Sequence, residues 1–140
     1  MPTVLIVDDE QHIRLLIEQT LEELEDEGVE LQTASNGDMA LDVVRNRRPE
    51  LVFLDVMMPK LNGFEVCRAI KQDLGLAGTT VVMLTAKGQA YDREQGLAAG
   101  AARYLTKPFD PDELLEIARE ALGLAGDATA GWRQSTRKPG

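Results

Sequence analysis

The sequence is poor in several things, and each shortage excludes something. It has one cysteine, Cys67, in 140 residues. A lone cysteine closes no internal disulfide, which suits a reducing compartment. No apolar run approaches the roughly 20 residues of a membrane span, so no membrane insertion is expected. The opening stretch MPTVLIVDDE has no basic region ahead of its apolar run. No signal peptide is expected, and the cytoplasm is the expected compartment. Basic residues number 15 against 24 acidic ones, for a formal net charge of −9. Phosphate backbones need a basic face, so direct contact with nucleic acid is not expected. No internal repeat is visible.

The length suits one compact domain. A chain of this size buries roughly 70% of the surface it would expose unfolded, enough for a core without structural metal. The apolar residues alternate between short continuous runs and longer stretches of helical period. Thr3–Val7 is the first run. Over 10–26, Ile13, Leu16, Ile17, Thr20, Leu21 and Leu24 recur at helical spacing, and Gly28 closes that helix. A second strand is expected at 29–34. Asn36 caps a helix to about Asn46, with Met39, Ala40, Val43 and Val44 on its apolar face. Pro49 breaks the chain before a third strand at 51–54. Asn62-Gly63 opens a helix over about 64–72. Strand four is 81–84, a weak helix interrupted by Gly96 and ended by Gly100 covers 91–99, and strand five is 102–105. Asp110 as cap, Pro111 at the first helical position and Glu113 three after the cap start the last helix, which runs to Leu122. Alternating strands and helices predict an α/β fold with a parallel sheet covered on both faces. Residues 123–140, GLAGDATAGWRQSTRKPG, have no apolar period, and Arg133, Arg137 and Lys138 against Asp127 give them a charge of +2. They read as a flexible tail after a domain at 1–122. Trp132 within them is either a loose surface contact or a docking residue.

The stretch FLDVMMP, residues 53–59, puts Asp55 where a buried strand runs out. An ionised carboxylate beside a core is costly unless something pairs with it. Ligands of open parallel sheets bind at the carboxyl ends of the strands. Asp8, Asp9 and Glu10 follow strand one, Asp55 ends strand three, Thr85 follows strand four, and Thr106 and Lys107 follow strand five. Clustered carboxylates repel unless a cation sits among them, and hard oxygen ligands suit Mg²⁺. A lysine and a hydroxyl opposite that cation would clamp a phosphoryl group. In this reading Asp55 is a nucleophile that forms an aspartyl-phosphate. Asp8 and Asp9, with the Met57 backbone carbonyl, hold the metal, and Thr85 and Lys107 bind phosphoryl oxygens. Each feature alone is ordinary; together, at four strand ends, they are specific.

The segments VLIVDDE (4–10), LVFLDVMMPKLNGFEV (51–66), VVMLTA (81–86) and AARYLTKPFDPDEL (101–114) resemble the receiver domain of two-component response regulators. The resemblance covers about residues 3–122, in the single-domain, chemotaxis-regulator style. It implies a flavodoxin-like (βα)5 fold with strand order 2-1-3-4-5. It implies phosphorylation of Asp55 by a sensor histidine kinase or a phosphotransfer histidine, with Mg²⁺ required and Mn²⁺ as a substitute. It implies phosphoryl contacts from Thr85, Lys107 and the Ala86 backbone, and a cis peptide before Pro108. Similar receivers switch through a threonine and an aromatic, here Thr85 and Tyr104, and signal through the face of helix four, strand five and helix five to a downstream effector protein. Such a domain is not an enzyme acting on a separate substrate, and is a monomer or a phosphorylation-dependent dimer. Met57 and Lys87 occupy positions that influence loss of the phosphoryl group. Neither resembles a water-positioning side chain, so no fast self-hydrolysis is expected. His12 reads as an exposed helix residue, Cys67 as packing, and Met57 and Met58 as loop and partial core.

Three other readings stay open at this point. An aspartate-based phosphatase would usually carry an Asp at position 57, where Met57 stands. A degenerate receiver used only for binding is disfavoured by the intact set. A piece of a longer regulator is compatible with the tail.

Overall fold

The computed structural model describes residues 2–73, 75–76, 78–86 and 98–124. The sheet has five parallel strands: β1 (Thr3–Val7), β2 (Glu30–Ala34), β3 (Leu51–Asp55), β4 (Thr80–Ala86) and β5 (Arg103–Lys107), of which β1, β3 and β4 are built on apolar runs. Their order is β2-β1-β3-β4-β5, as the resemblance implied. Every residue of β1 and β3 is buried, whereas β2 and β5, at the two edges, are partly exposed. Continuous apolar strands are the signature of a sheet covered on both sides.

The covering elements are α1 (Gln11–Glu25), α2 (Gly37–Arg47), α3 (Gly63–Arg68) and the C-terminal helix Pro111–Leu122. Strand alternation divides the core. Leu5, Val52, Leu54, Val81 and Met83 pack with Ala40, Val44, Val66 and Cys67 from α2 and α3. Val4, Ile6, Leu51, Phe53, Val82 and Leu84 pack with Ile17, Leu21, Leu114 and Ile117 from α1 and the C-terminal helix. A fully buried leucine such as Leu54 contributes on the order of 2 kcal/mol of transfer free energy. Arg119 stitches the C-terminal helix to α1 through Glu23 at 2.8 Å and to the turn after α1 through Glu27 at 2.6 Å.

The apolar stripes are narrower than the sequence suggests. Leu16 is 42% and Met39 45% exposed, although both match the apolar period of their helices. Successive residues turn by about 100° around a helix. Stripes centred on Ile17 and Ala40 therefore carry Leu16 and Met39 to the outside. β4 runs two residues past the expected end, and β5 includes Lys107 as its last residue. α3 stops at Arg68 and continues as a π turn, Ala69–Asp73. The Asp110 side chain accepts from the Asp112 N–H at 2.9 Å, not from Glu113. Most of the helix expected at 91–99, Lys87 and the tail with Trp132 lie outside the described residues. Among the described residues, no helix is long and apolar enough to cross a membrane.

Candidate functional site

The pleat itself assembles the site. Val4 and Ile6 precede Asp8 at alternate positions, as Leu51 and Phe53 precede Asp55 and Leu105 precedes Lys107. Each of those apolar residues faces the layer under α1 and the C-terminal helix. Side chains alternate with period two, so Asp8, Asp55 and Lys107 leave the sheet on that same side. β1 and β3 are neighbours, with Val7 paired to Leu54, which brings the next residues, Asp8 and Asp55, side by side.

Lys107 lies between the two carboxylates. Its Nζ donates to Asp8 Oδ2 at 2.9 Å and to Asp55 Oδ1 at 3.3 Å, and stands 4.0 Å from Glu10 Oε1. The Glu10 N–H donates to Asp8 Oδ1 at 2.9 Å, and the Met57 N–H donates to Asp55 Oδ1 at 3.3 Å. Carboxylate oxygens of Asp8, Asp9 and Asp55 lie within 4.8 Å of one another. Asp9 is exposed, Asp8 has no exposed surface, and Asp55 is 4% exposed. A strand-end carboxylate reachable by a phosphohistidine suggests an exposed Asp55. It is instead buried, because Val56 continues the chain into the core and its N–H bonds to the Leu84 carbonyl at 3.0 Å.

Burial, and next the neighbouring Asp8 charge, push the Asp55 carboxyl up to about 7; the Lys107 charge and hydrogen bond and the Met57 N–H pull against this without cancelling it. Burial alone would lower the Lys107 ammonium, but the Asp8 hydrogen bond and the charges of Asp55 and Asp8 outweigh it and hold it above the usual lysine value. A carboxylate made costly by burial and by a like charge is what a divalent cation relieves, and the donors here are hard oxygens. The residues present fit such an ion.

Thr85 and Ala86 follow Leu84, the register partner of Asp55. Val81 and Met83 face the layer under α2 and α3, so buried Thr85 continues that row on the other side of the pleat from Asp55. Tyr104 is half-buried, pairs with Met83 and packs against the same layer. The Lys107–Pro108 peptide is cis. The Met57 side chain is 60% exposed, and the contact seen from that residue to the site is its N–H.

Three participants were not singled out in the sequence. Glu10 binds Asp8 through its amide. Arg14 Nη1 donates to the Asp8 carbonyl at 2.7 Å. Gly63 packs so close behind Asp55 that a Cβ there would stand 2.4 Å from the Asp55 carbonyl oxygen. Each of these contacts has a main-chain atom on one side, the Glu10 N–H, the Asp8 carbonyl or the Asp55 carbonyl, so the pairing of residue types does not signal it. His12 is an exposed residue near Glu10, and the Cys67 thiol, pushed up to about 11 chiefly by burial, donates to the Ala99 carbonyl at 3.4 Å. Both read as expected.

A five-stranded, doubly wound parallel sheet with acids and a lysine at its carboxyl edge defines a flavodoxin-like class of α/β domain. Residues 4–119 match the response regulator receiver domain, and the chain belongs to that family. It is 41% identical over 122 residues to the "DNA-binding dual master transcriptional regulator RpaA" of Synechocystis sp., covering 87% of this chain and 49% of that protein. It is 42% identical over 111 residues to the "Alkaline phosphatase synthesis transcriptional regulatory protein PhoP" of Bacillus subtilis, covering 79% and 44%. The chemotaxis protein CheY4 of Vibrio cholerae superposes with a TM-score of 0.77 at 35% identity, covering 86% of this chain and 98% of that one. The chain spans about half the length of the curated relatives it matches. Receiver domains are signalling domains of two-component systems, with histidine-kinase input and an effector downstream.

Proposed function

We propose that this domain is a phosphorylation-operated switch in which Asp55 accepts a phosphoryl group from a phosphohistidine of a sensor kinase or phosphotransfer protein. The observation that carries this reading is the Lys107 ammonium, 2.9 Å from Asp8 and 3.3 Å from Asp55. Among the described residues, both hydrogen bonds to the Asp55 carboxylate use Oδ1, and Oδ2 is the oxygen we assign to attack. An O–P bond forms at Oδ2 while the donor N–P bond breaks, its electron pair staying on the imidazole nitrogen. Asp8, Asp9, Asp55 and the Met57 carbonyl would hold Mg²⁺ or Mn²⁺, which supplies charge neutralisation across the carboxylates and the phosphoryl oxygens. Lys107, the Thr85 hydroxyl and the Ala86 N–H take the phosphoryl oxygens in this assignment. Neither Met57 nor Lys87 offers a side chain that positions water as a carboxylate or amide would, so self-hydrolysis of the acyl phosphate is not unusually fast in this assignment.

The receiver comprises residues 1–122, with 123–140 as a tail. Output runs from Thr85 to Tyr104 and on to the face built by β5, the C-terminal helix and the segment ending at Gly100. The DNA binding in the name of the Synechocystis relative belongs to that protein. A net charge of −9 keeps this chain itself away from phosphate backbones, and any contact with nucleic acid falls to the effector.

The test is intact mass after incubation with acetyl phosphate, with and without Mg²⁺, on wild type and Asp55→Asn. One phosphoryl adduct that needs both Mg²⁺ and Asp55 is expected. A folded protein that takes up none overturns the reading and leaves a constitutive binding module.

A further inference from the structure

Arg14 stands where helix electrostatics alone would not place a cation. It closes the first turn of α1, whose N-terminal end carries partial positive charge. No side chain caps that helix at Glu10. The Arg14 guanidinium instead reaches back and donates through Nη1 to the Asp8 carbonyl at 2.7 Å. Asp8 then has every oxygen engaged. Oδ1 accepts from the Glu10 N–H and Oδ2 from Lys107, both at 2.9 Å, and the carbonyl accepts from Arg14. Two of these three ties come from the segment entering α1. The Asp8 carbonyl belongs to the peptide that joins Asp8 to Asp9. Whatever fixes that peptide fixes how the Asp8 and Asp9 carboxylates converge.

We propose that Arg14 is a positioning residue for the divalent cation, acting through the Asp8–Asp9 peptide; the inference rests on the cation reading of the Asp8, Asp9 and Asp55 cluster. Freed of Arg14, the peptide turns and the two carboxylates cease to converge. An opposing effect makes the inference sharp. Arg14 is itself a cation near the cluster, so deleting its charge would by Coulomb's law favour a metal ion. The clamp and the charge predict opposite signs.

Mg²⁺ alone is titrated into wild type, Arg14→Gln and Arg14→Lys, following the backbone amide shifts of Asp9 and Glu10 by NMR. Thermal unfolding of each variant confirms that folded protein is compared. Arg14→Gln is expected to bind Mg²⁺ about tenfold more weakly, the low end for loss of a group that orients a metal ligand. Arg14→Lys, which keeps the charge and a donor, loses less. In phosphorylation by acetyl phosphate, the Mg²⁺ concentration for half-maximal rate rises by the same factor, and the rate at saturating Mg²⁺ holds. Unchanged affinity in Arg14→Gln would leave Arg14 a helix-stabilising residue, and tighter binding would leave it a repelling charge; either overturns the proposal. Absence of any Mg²⁺ response in wild type is a different failure, which sinks the cation reading itself.

Discussion

Asp55 carries a pH dependence whose sign follows from its surroundings. Its carboxyl, raised from 3.8 to about 7 chiefly by burial, holds a proton more tightly folded than unfolded. Falling pH therefore favours the folded state between about 7 and 3.8, and above 7 the ionised, buried carboxylate penalises it. Asp55→Asn removes the penalty and leaves Lys107 paired with Asp8. In metal-free buffer at pH 8 the variant is expected to be more stable than wild type by roughly 2 kcal/mol, below the full equivalent of the shift because the site is coupled. Thermal unfolding from pH 8 to pH 4 should show that gain shrink toward zero, and Mg²⁺ at pH 8 should stabilise wild type more than Asp55→Asn. A variant less stable at pH 8 would contradict the burial penalty. Gly63 offers a second test. A Cβ there would meet the Asp55 carbonyl oxygen at 2.4 Å and the Val56 Cα at 2.9 Å, both backbone, whereas one at Gly78 meets nothing within 4 Å. Gly63→Ala should cost about 1–3 kcal/mol, as overpacking does, and slow phosphorylation by displacing Asp55, while Gly78→Ala does neither. Equal urea midpoints for the two would remove Gly63 from the site's support.

At the scale of elements, the central strands β1, β3 and β4 were legible because each is built on a continuous apolar run, and the acids and lysine were legible because they stand at strand ends. The meeting of Asp8, Asp55 and Lys107 follows from strand order and alternation alone. Helix faces were less legible: Leu16 and Met39 match the apolar pattern in type, yet a stripe about 100° away decides which side is buried. The π turn at Ala69–Asp73 has no compositional mark, since it places Ile70 fully in the core with the Leu76 N–H on the Ile70 carbonyl at 3.1 Å. Glu10 meets Asp8 through its own amide, and Arg14 and Gly63 meet Asp8 and Asp55 at their carbonyls, so one partner in each contact is a main-chain atom that no residue type announces. α3 shows how an element serves the site. Asn62 and Glu65 form a reciprocal capping box, each bond 3.0 Å, and the next residue, Gly63, donates to the Val56 carbonyl at 3.0 Å. The cap therefore fixes the helix start directly against the chain leaving Asp55. Asn62→Ala should destabilise by about 1 kcal/mol and broaden the Val56 and Met57 amide resonances. A stability loss with those resonances unmoved would confine the cap to the helix.

Over the whole molecule, one sheet separates two core layers, and the candidate site opens to both. Asp8, Asp55 and Lys107 continue the rows that pack under α1 and the C-terminal helix, while Thr85 continues the row of Val81 and Met83 on the other side. A phosphoryl group on Asp55 that engages the Thr85 hydroxyl would link a charge change on one side of the sheet to packing on the other. The next group along that layer is Tyr104, paired with Met83 one strand over and only half-buried, so space and solvent are both within its reach. Interiors this tightly packed respond by switching between discrete arrangements. On our reading, the proposed switch requires that Tyr104 report the state of Asp55. Hydrogen exchange with and without acetyl phosphate and Mg²⁺ tests this. In wild type, altered protection should extend from the strand ends into β5 and the C-terminal helix. In Tyr104→Ala the adduct should still form at close to the wild-type rate, because Tyr104 packs on the side of the sheet opposite the rows that end in Asp8, Asp55 and Lys107, and the altered protection should stop at Thr85. Propagation that survives the loss of Tyr104 would assign the transmission to the strand ends themselves.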